Sequence, residues 1–212
     1  MTTSNTKYQQ LLENLGILKL ETMKDYLPNY IEALNKREMT FVEALTELTR
    51  KEIDFRKEHA AQINLKVSNI PYEKRISDFD FSYQPSINKH EIDDLMSLRF
   101  VENKENTLLI GSSGVGKTHL ATSIGIEASY KRISTYFINC PVLINQFKKT
   151  YHENRHEVAL KQFFKAHVLI IDEIGYLLID KVGANLFFQL IAMRYEKKST
   201  IVTTNIPLSK WG

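Results

Sequence analysis

The sequence predicts an α/β fold in which a parallel sheet is flanked by helices and follows a small all-helical domain. Three observations support this prediction. A glycine-rich loop, G-S-S-G-V-G-K-T from Gly111, lies between a short apolar run and a segment of helical spacing. A second apolar run ends in two acids, Asp172 and Glu173. The first seventy residues contain helical patterns and no strand-like run, which indicates a separate N-terminal domain.

The N-terminal domain is predicted over residues 1–70. Its helices are predicted over residues 8–15, 21–35 and 41–63, with Gly16 and the turn K-R-E-M-T between them. Thr40 and Glu43 have the spacing of a capping box at the start of the third helix. The apolar stripe of that helix indicates internal packing, and docking to a partner is the alternative interpretation.

A connector with the first helix of the α/β module is predicted over residues 71–106. Phe79, Phe81 and Tyr83 alternate along the connector, and residues 87–100 have helical spacing. The predicted core of the module then covers residues 107–212. Its first strand is the apolar run 107–110, and a helix over 119–130 follows the glycine-rich loop.

The loop from Gly111 to Thr118 fits G-x-x-x-x-G-K-[ST], the phosphate-binding loop of P-loop NTPases. Its glycines permit tight turns that point backbone N–H groups at phosphate oxygens. Lys117 is predicted to bind the β- and γ-phosphates of ATP, and the Thr118 hydroxyl to ligate Mg²⁺. The predicted nucleotide-binding residues are Gly111, Ser112, Ser113, Gly114, Val115, Gly116, Lys117, Thr118 and His119.

The run H-V-L-I-I-D-E from His167 predicts a strand that is buried on both faces and ends at the ligand crevice. Its two acids suit the Walker B position. Asp172 is predicted to hold Mg²⁺, and Glu173 to act as the general base for an attacking water. A further strand is predicted over residues 199–203, shortly before Asn205. Taken alone, an asparagine after a strand is commonly a turn former.

From Ile76 to Trp211 the chain resembles the IstB-like ATPases, helper proteins of bacterial insertion sequences, and more distantly the DnaC-type helicase loaders. One difference is Leu178, where the family usually has proline. The resemblance rests on the motifs G-S-S-G-V-G-K-T-H-L-A from Gly111, I-I-D-E-I-G-Y-L from Ile170, A-N-L-F-F-Q-L-I-A from Ala184, R-Y-E-K-K-S-T from Arg194 and T-T-N-I-P-L-S-K-W from Thr203.

The resemblance implies a P-loop NTPase fold of the AAA+ type, with ATP and Mg²⁺ as cofactors. It implies that Asn205 is a third catalytic residue beside Lys117 and Glu173, orienting the attacking water as sensor 1. An aromatic ring of the connector would pack on the adenine or simply anchor the connector. The implied role is that of a DNA-transposition helper that binds DNA, regulates or recruits a transposase, and forms homo-oligomers. A replicative helicase loader and a defective insertion-sequence relic are the alternatives.

The same resemblance implies that residues 107–212 lack the C-terminal lid, the arginine-finger helix and a fifth strand. In the usual strand order, 5-1-4-3-2, the first strand would then have an open edge. A C-terminally truncated chain is therefore expected, one that binds ATP weakly and hydrolyses it poorly.

Two groups of basic residues are candidates for DNA contact. Lys148, Lys149, Tyr151 and Arg155 place cations beside an aromatic ring, which suits a phosphate backbone, although a charged solvated helix explains them equally well. A second group consists of Arg194, Lys197 and Lys198.

Residues His152 to His156 also fit H-E-x-x-H, the zinc-binding helix of metalloproteases. The segment is polar throughout, and Arg155 would place a cation beside the metal. A solvated helical face is therefore predicted, without zinc.

The composition fits these predictions. The net charge is only +3, so any DNA contact requires local patches. The lone Cys140 excludes an internal disulfide and is typical of a reducing compartment. The polar N-terminus does not resemble a signal peptide, and no apolar run reaches the length of a membrane span. A cytoplasmic location without membrane association is expected.

Overall fold

The computed structural model describes residues 2–175, 180–207 and 209. It divides the chain into two compact units, residues 1–60 and 61–212. The predicted domain limits at residues 70 and 106 stay predictions. No helix among the described residues is long and apolar enough to cross a membrane. Leu178 and Trp211 lie outside the described residues.

The N-terminal unit consists of helices, as predicted. They are α1 (Thr2–Ile17), α2 (Glu21–Asn35) and the beginning of α3 (Phe41–Val67). The capping box is confirmed, because the Thr40 N–H donates to Glu43 and the Glu43 N–H donates to the Thr40 hydroxyl. The start of α2 has no side-chain cap of its own. The buried carboxylate of Glu52 on α3 accepts the Met23 N–H there instead, at 3.2 Å.

The second unit is the predicted α/β module. In chain order it contains a 3-10 helix (Ile76–Asp78), α4 (Lys89–Ser97), α5 (Arg99–Glu102), β1 (Thr107–Ile110), α6 (Lys117–Tyr130), β2 (Thr135–Asn139), α7 (Cys140–His152), α8 (His156–Lys165), β3 (Val168–Ile174), α9 (Lys181–Arg194) and β4 (Ser199–Thr204). The strands pair in parallel in the order β1-β4-β3-β2. This topology confirms the predicted parallel sheet and places β1 at one edge.

β3 is one of the two inner strands of the sheet, and residues Val168 to Ile171 have no exposed surface. Two apolar clusters surround it. One packs α7, α8 and α9 against β2 and β3, and the other includes residues of α5, α6 and the strands. The strand is therefore covered on both faces, as its continuous apolar run predicts.

Two predicted helices are interrupted in the structure. The helix predicted over residues 87–100 breaks at Leu98, whose φ of 67° lies in the left-handed region. The H-E-x-x-H segment is largely exposed, as predicted, but the prediction of a single helical face is wrong, because α7 ends at His152 and α8 begins at His156. Asn154 between them has a φ of 54°. The two histidines therefore lie on different helices.

Arg194 is not available for DNA, so its assignment to a basic surface patch is wrong. Only 1% of its surface is exposed. Its guanidinium donates to the carbonyl oxygens of Phe163, Ala166 and Ser199 at 2.9, 2.9 and 2.5 Å, and to the Thr200 hydroxyl at 3.0 Å. Burial lowers the pKa of Arg194 to about 10. Sequence alone did not reveal this role, because the chain places these partners in different elements.

Candidate functional site

The glycine-rich loop joins the end of β1 to the start of α6. Gly114 and Gly116 have φ values of 83° and 91°, a region that side chains rarely allow. A Cβ on Gly116 would lie 2.5 Å from Cε2 of Phe79. The Phe79 ring also packs edge-on against His119, with 5.3 Å between ring centroids. These contacts favour the interpretation that Phe79 anchors the connector to the loop.

Lys117 is the first residue of α6 and folds back over the loop. Its ammonium donates to the carbonyl oxygens of Gly111 and Ser112, both at 2.7 Å. These bonds hold the positive charge beside the loop, where the helix N-terminus also favours an anion. The loop therefore has the cation and the backbone geometry that a polyphosphate requires.

Asp172 is 2% exposed and faces the next residue of the loop, Thr118. The Thr118 hydroxyl lies 3.0 Å from both carboxylate oxygens, and the Thr203 hydroxyl donates to the carboxylate as well. A hydroxyl and a carboxylate are the hard oxygen ligands that Mg²⁺ prefers. The described hydrogen bonds of this buried carboxylate come from neutral hydroxyls. The Thr118 hydroxyl and the Asp172 carboxylate therefore fit as ligands of a divalent cation.

Glu173 lies beside Asp172 with its side chain exposed and a φ of 62°. Its carboxylate accepts a hydrogen bond from the amide of Asn139 at 3.2 Å. Sequence reasoning missed Asn139. The run T-Y-F-I-N has the residue types of a strand and ends in a polar side chain, which is the signal that points to it.

A cavity of about 280 Å³ unites the three motifs. Its lining includes Tyr72, Lys117, Glu173 and Asn205. Within the described part of the chain, Oδ1 of Asn205 is buried and has no hydrogen-bond partner. Burial raises the pKa of the Tyr72 phenol; a hydrogen bond with Thr122 opposes this rise, and the charge of Asp172 adds to it. A buried acceptor without a partner beside a polar cavity indicates a place for a ligand or water.

The first candidate group for DNA contact is partly occupied by ion pairs. The Lys148 ammonium lies 2.9 Å from Asp180, and Arg155 is paired with Glu153. Lys149 and Tyr151 are exposed. The structure thus leaves a smaller accessible surface at the end of α7 than the sequence predicts.

The chain matches the family described as IstB-like ATP binding protein over residues 13–212. It belongs to this family. It is 52% identical over 204 residues to the insertion sequence IS232 putative ATP-binding protein of Bacillus thuringiensis subsp. berliner, an alignment that covers 96% of this chain and 82% of the relative. Identity to the insertion sequence IS5376 putative ATP-binding protein of Geobacillus stearothermophilus is 40% over 195 residues, covering 92% and 78%.

Solved structures confirm the predicted P-loop NTPase fold of the AAA+ type. The crystal structure of the DnaC helicase loader is 28% identical with a TM-score of 0.52, covering 68% of this chain and 79% of that one. AMPPCP-bound DnaA from Aquifex aeolicus has a TM-score of 0.55 at 15% identity, covering 64% and 43%. The DnaA similarity concerns the fold alone.

Proposed function

We propose that this IstB-like protein binds ATP with Mg²⁺ and serves DNA transposition as an ATP-dependent helper that binds DNA and regulates or recruits a transposase. The meeting of the glycine-rich loop with Asp172 and Glu173 in one polar cavity carries the proposal. The relatives described as insertion sequence ATP-binding proteins support the transposition context. Assembly with further copies of the chain is part of this proposal.

Each side chain has a distinct task in the proposed site. Lys117 neutralises phosphate charge, and Thr118 and Asp172 hold Mg²⁺. The bound ion would withdraw electron density from the phosphate oxygens. Glu173 accepts the proton of the attacking water, and Oδ1 of Asn205, which has no hydrogen-bond partner among the described residues, orients that water. The amide of Asn139 holds the Glu173 carboxylate in place.

Binding of a fluorescent ATP analogue tests the first part of the proposal. Lys117→Ala should weaken binding by roughly tenfold or more, because it removes the cation beside the loop. Lys131→Ala is the matched control, since this exposed lysine follows the last residue of α6 and pairs with Glu127. Equal affinities for the wild type and Lys117→Ala would contradict the proposed site.

Hydrolysis requires a separate measurement. Glu173→Gln keeps the shape of the side chain but cannot accept a proton, so turnover should fall by roughly a hundredfold or more while binding persists. Phosphate release is measured with DNA and the transposase present. Unchanged turnover in Glu173→Gln would exclude Glu173 as the general base.

DNA contact is proposed at Lys149 and Tyr151, the exposed members of the first group. Lys149→Ala should reduce the slope of log affinity against log salt by about 1, as loss of one phosphate contact does. Lys161→Ala on α8 is the control, because this exposed lysine lies near Glu157. An unchanged slope in Lys149→Ala would remove this residue from the interface.

A helicase loader is the second candidate function, and the 28% identity to the DnaC helicase loader favours it. The two functions differ in the protein that the chain binds. Purified transposase from the same insertion sequence and purified replicative helicase should be compared directly as ligands of the immobilised chain. Binding of the helicase alone would overturn the transposition role.

A further inference from the structure

β3 contains a bulge at its two acids. Where β3 pairs with β4, Ile171 lies opposite Val202 and Ile174 lies opposite Thr204. Two residues of β3, Asp172 and Glu173, therefore face a single residue of β4, which is Thr203. The left-handed φ of Glu173 accommodates this extra residue.

The bulge decides where the acids point. In a regular strand two consecutive side chains point to opposite faces of the sheet. Here Asp172 contacts Thr118 of the loop, and Glu173 lines the cavity that Thr118 also lines. Both acids consequently reach one site, which a regular strand would not permit.

Thr203 is bonded to both residues of the bulge. It is 1% exposed, and its hydroxyl accepts the N–H of Glu173 at 2.9 Å and donates to the carboxylate of Asp172 at 2.5 Å. A hydroxyl can donate and accept at once, which neither an apolar nor a purely accepting side chain can do. Because a bulge takes its extra residue out of the strand ladder, the Glu173 N–H depends on this partner.

We propose that Thr203 is a positioning residue, whose hydroxyl holds the bulge and thereby directs Asp172 and Glu173 into the candidate active site. The proposal rests on the proposed binding and hydrolysis of ATP. The role of Thr203 in the bulge does not depend on that function, and it can be measured without nucleotide.

Thr203→Val tests this role, because valine has nearly the same shape but no hydroxyl. Amide hydrogen exchange of Glu173, followed by NMR in the protein without nucleotide, should become at least tenfold faster. With Mg²⁺, the dissociation constant of a fluorescent ATP analogue should rise about tenfold, or ~1.4 kcal/mol. With EDTA in place of Mg²⁺, the dissociation constant of Thr203→Val should differ from that of the wild type by less than twofold. Thr203→Ser retains the hydroxyl and should keep both the exchange rate and the Mg²⁺-dependent affinity near their wild-type values.

Thr200→Val is the matched control. Thr200 lies on the same strand and is 3% exposed, but its hydroxyl accepts from Arg194 instead of contacting the acids. This variant should lower the melting temperature and leave the Mg²⁺ dependence of binding unchanged. If Thr203→Val does not fold, Thr203→Cys replaces it, with the same expected direction because a thiol is a weaker donor.

The proposal would be overturned if Thr203→Val kept the wild-type exchange rate of Glu173 and the wild-type Mg²⁺-dependent binding. It would also be overturned if Thr203→Ser lost these two properties. Loss of the Mg²⁺ effect in Thr200→Val would also overturn it, because general loosening of β4 would then be the cause. If the wild type does not bind the ATP analogue, the proposed function fails. The exchange rates of Glu173 still decide the role of Thr203 in that case.

Discussion

Replacing Arg194 by methionine should strongly destabilise the α/β unit. Methionine keeps much of the length of the buried side chain but has no hydrogen-bond donor. The carbonyl oxygens of Phe163, Ala166 and Ser199 would lose donors that now lie within 2.9 Å. Because Arg194 is 1% exposed, we expect little replacement of these bonds by water.

The size of the loss follows from these contacts. A buried acceptor left without a partner costs about 1–3 kcal/mol, so three of them would cost about 3–9 kcal/mol. Removing a desolvated charge together with the guanidinium offsets part of this cost. We expect a decrease of about 3–5 kcal/mol in the free energy of unfolding, compared with a typical total of about 5–15 kcal/mol. At about 2–4 °C per kcal/mol, the melting temperature should fall by roughly 6–20 °C.

Differential scanning calorimetry of the full chain measures this effect. Lys197→Met serves as the control because Lys197 is exposed three residues away, and it should change the melting temperature by less than about 2 °C. Arg194→Lys should have an intermediate effect, since an ammonium has three donors in a different geometry. A loss below about 1 kcal/mol in Arg194→Met would refute the structural role assigned to this guanidinium.

Two further predictions concern the loop and the pH dependence of stability. Gly116→Ala should weaken binding of the ATP analogue at least tenfold, because φ is 91° and the new Cβ would overlap Phe79. Gly16→Ala is the control and should bind normally. Equal affinities of the two variants would contradict this prediction. Partial desolvation and the charges of Lys198 and Arg194 lower the pKa of His167, although the residue is largely exposed, so the unfolded chain takes up a proton first as the pH falls. The melting temperature should therefore fall through pH ~6.5, less so in His167→Gln, and a pH-independent melting temperature would contradict the assignment.

Local patterns predicted much of the fold. The apolar run 107–110 is β1 with the same bounds, and the runs ending at Glu173 and Thr203 correspond to β3 and β4 with limits shifted by one residue at most. The bounds of β2 and the role of its last residue, Asn139, were not predicted, because that run lacks a motif of known chemistry. The predicted helix over residues 87–100 was interrupted at Leu98, where a left-handed residue is not apparent from apolar spacing.

By itself, the sequence determined the chemistry of the candidate site, because a phosphate-binding loop is defined by residue types at fixed local spacing. It also determined that a buried strand ends in two acids. Only the tertiary structure decided how those groups meet. Thr203 lies 30 residues from Glu173 along the chain, Asn139 lies 34 residues from it, and Arg194 lies 31 residues from Phe163. The order of the strands and the bulge in β3 bring these side chains together, and no local pattern specifies either feature.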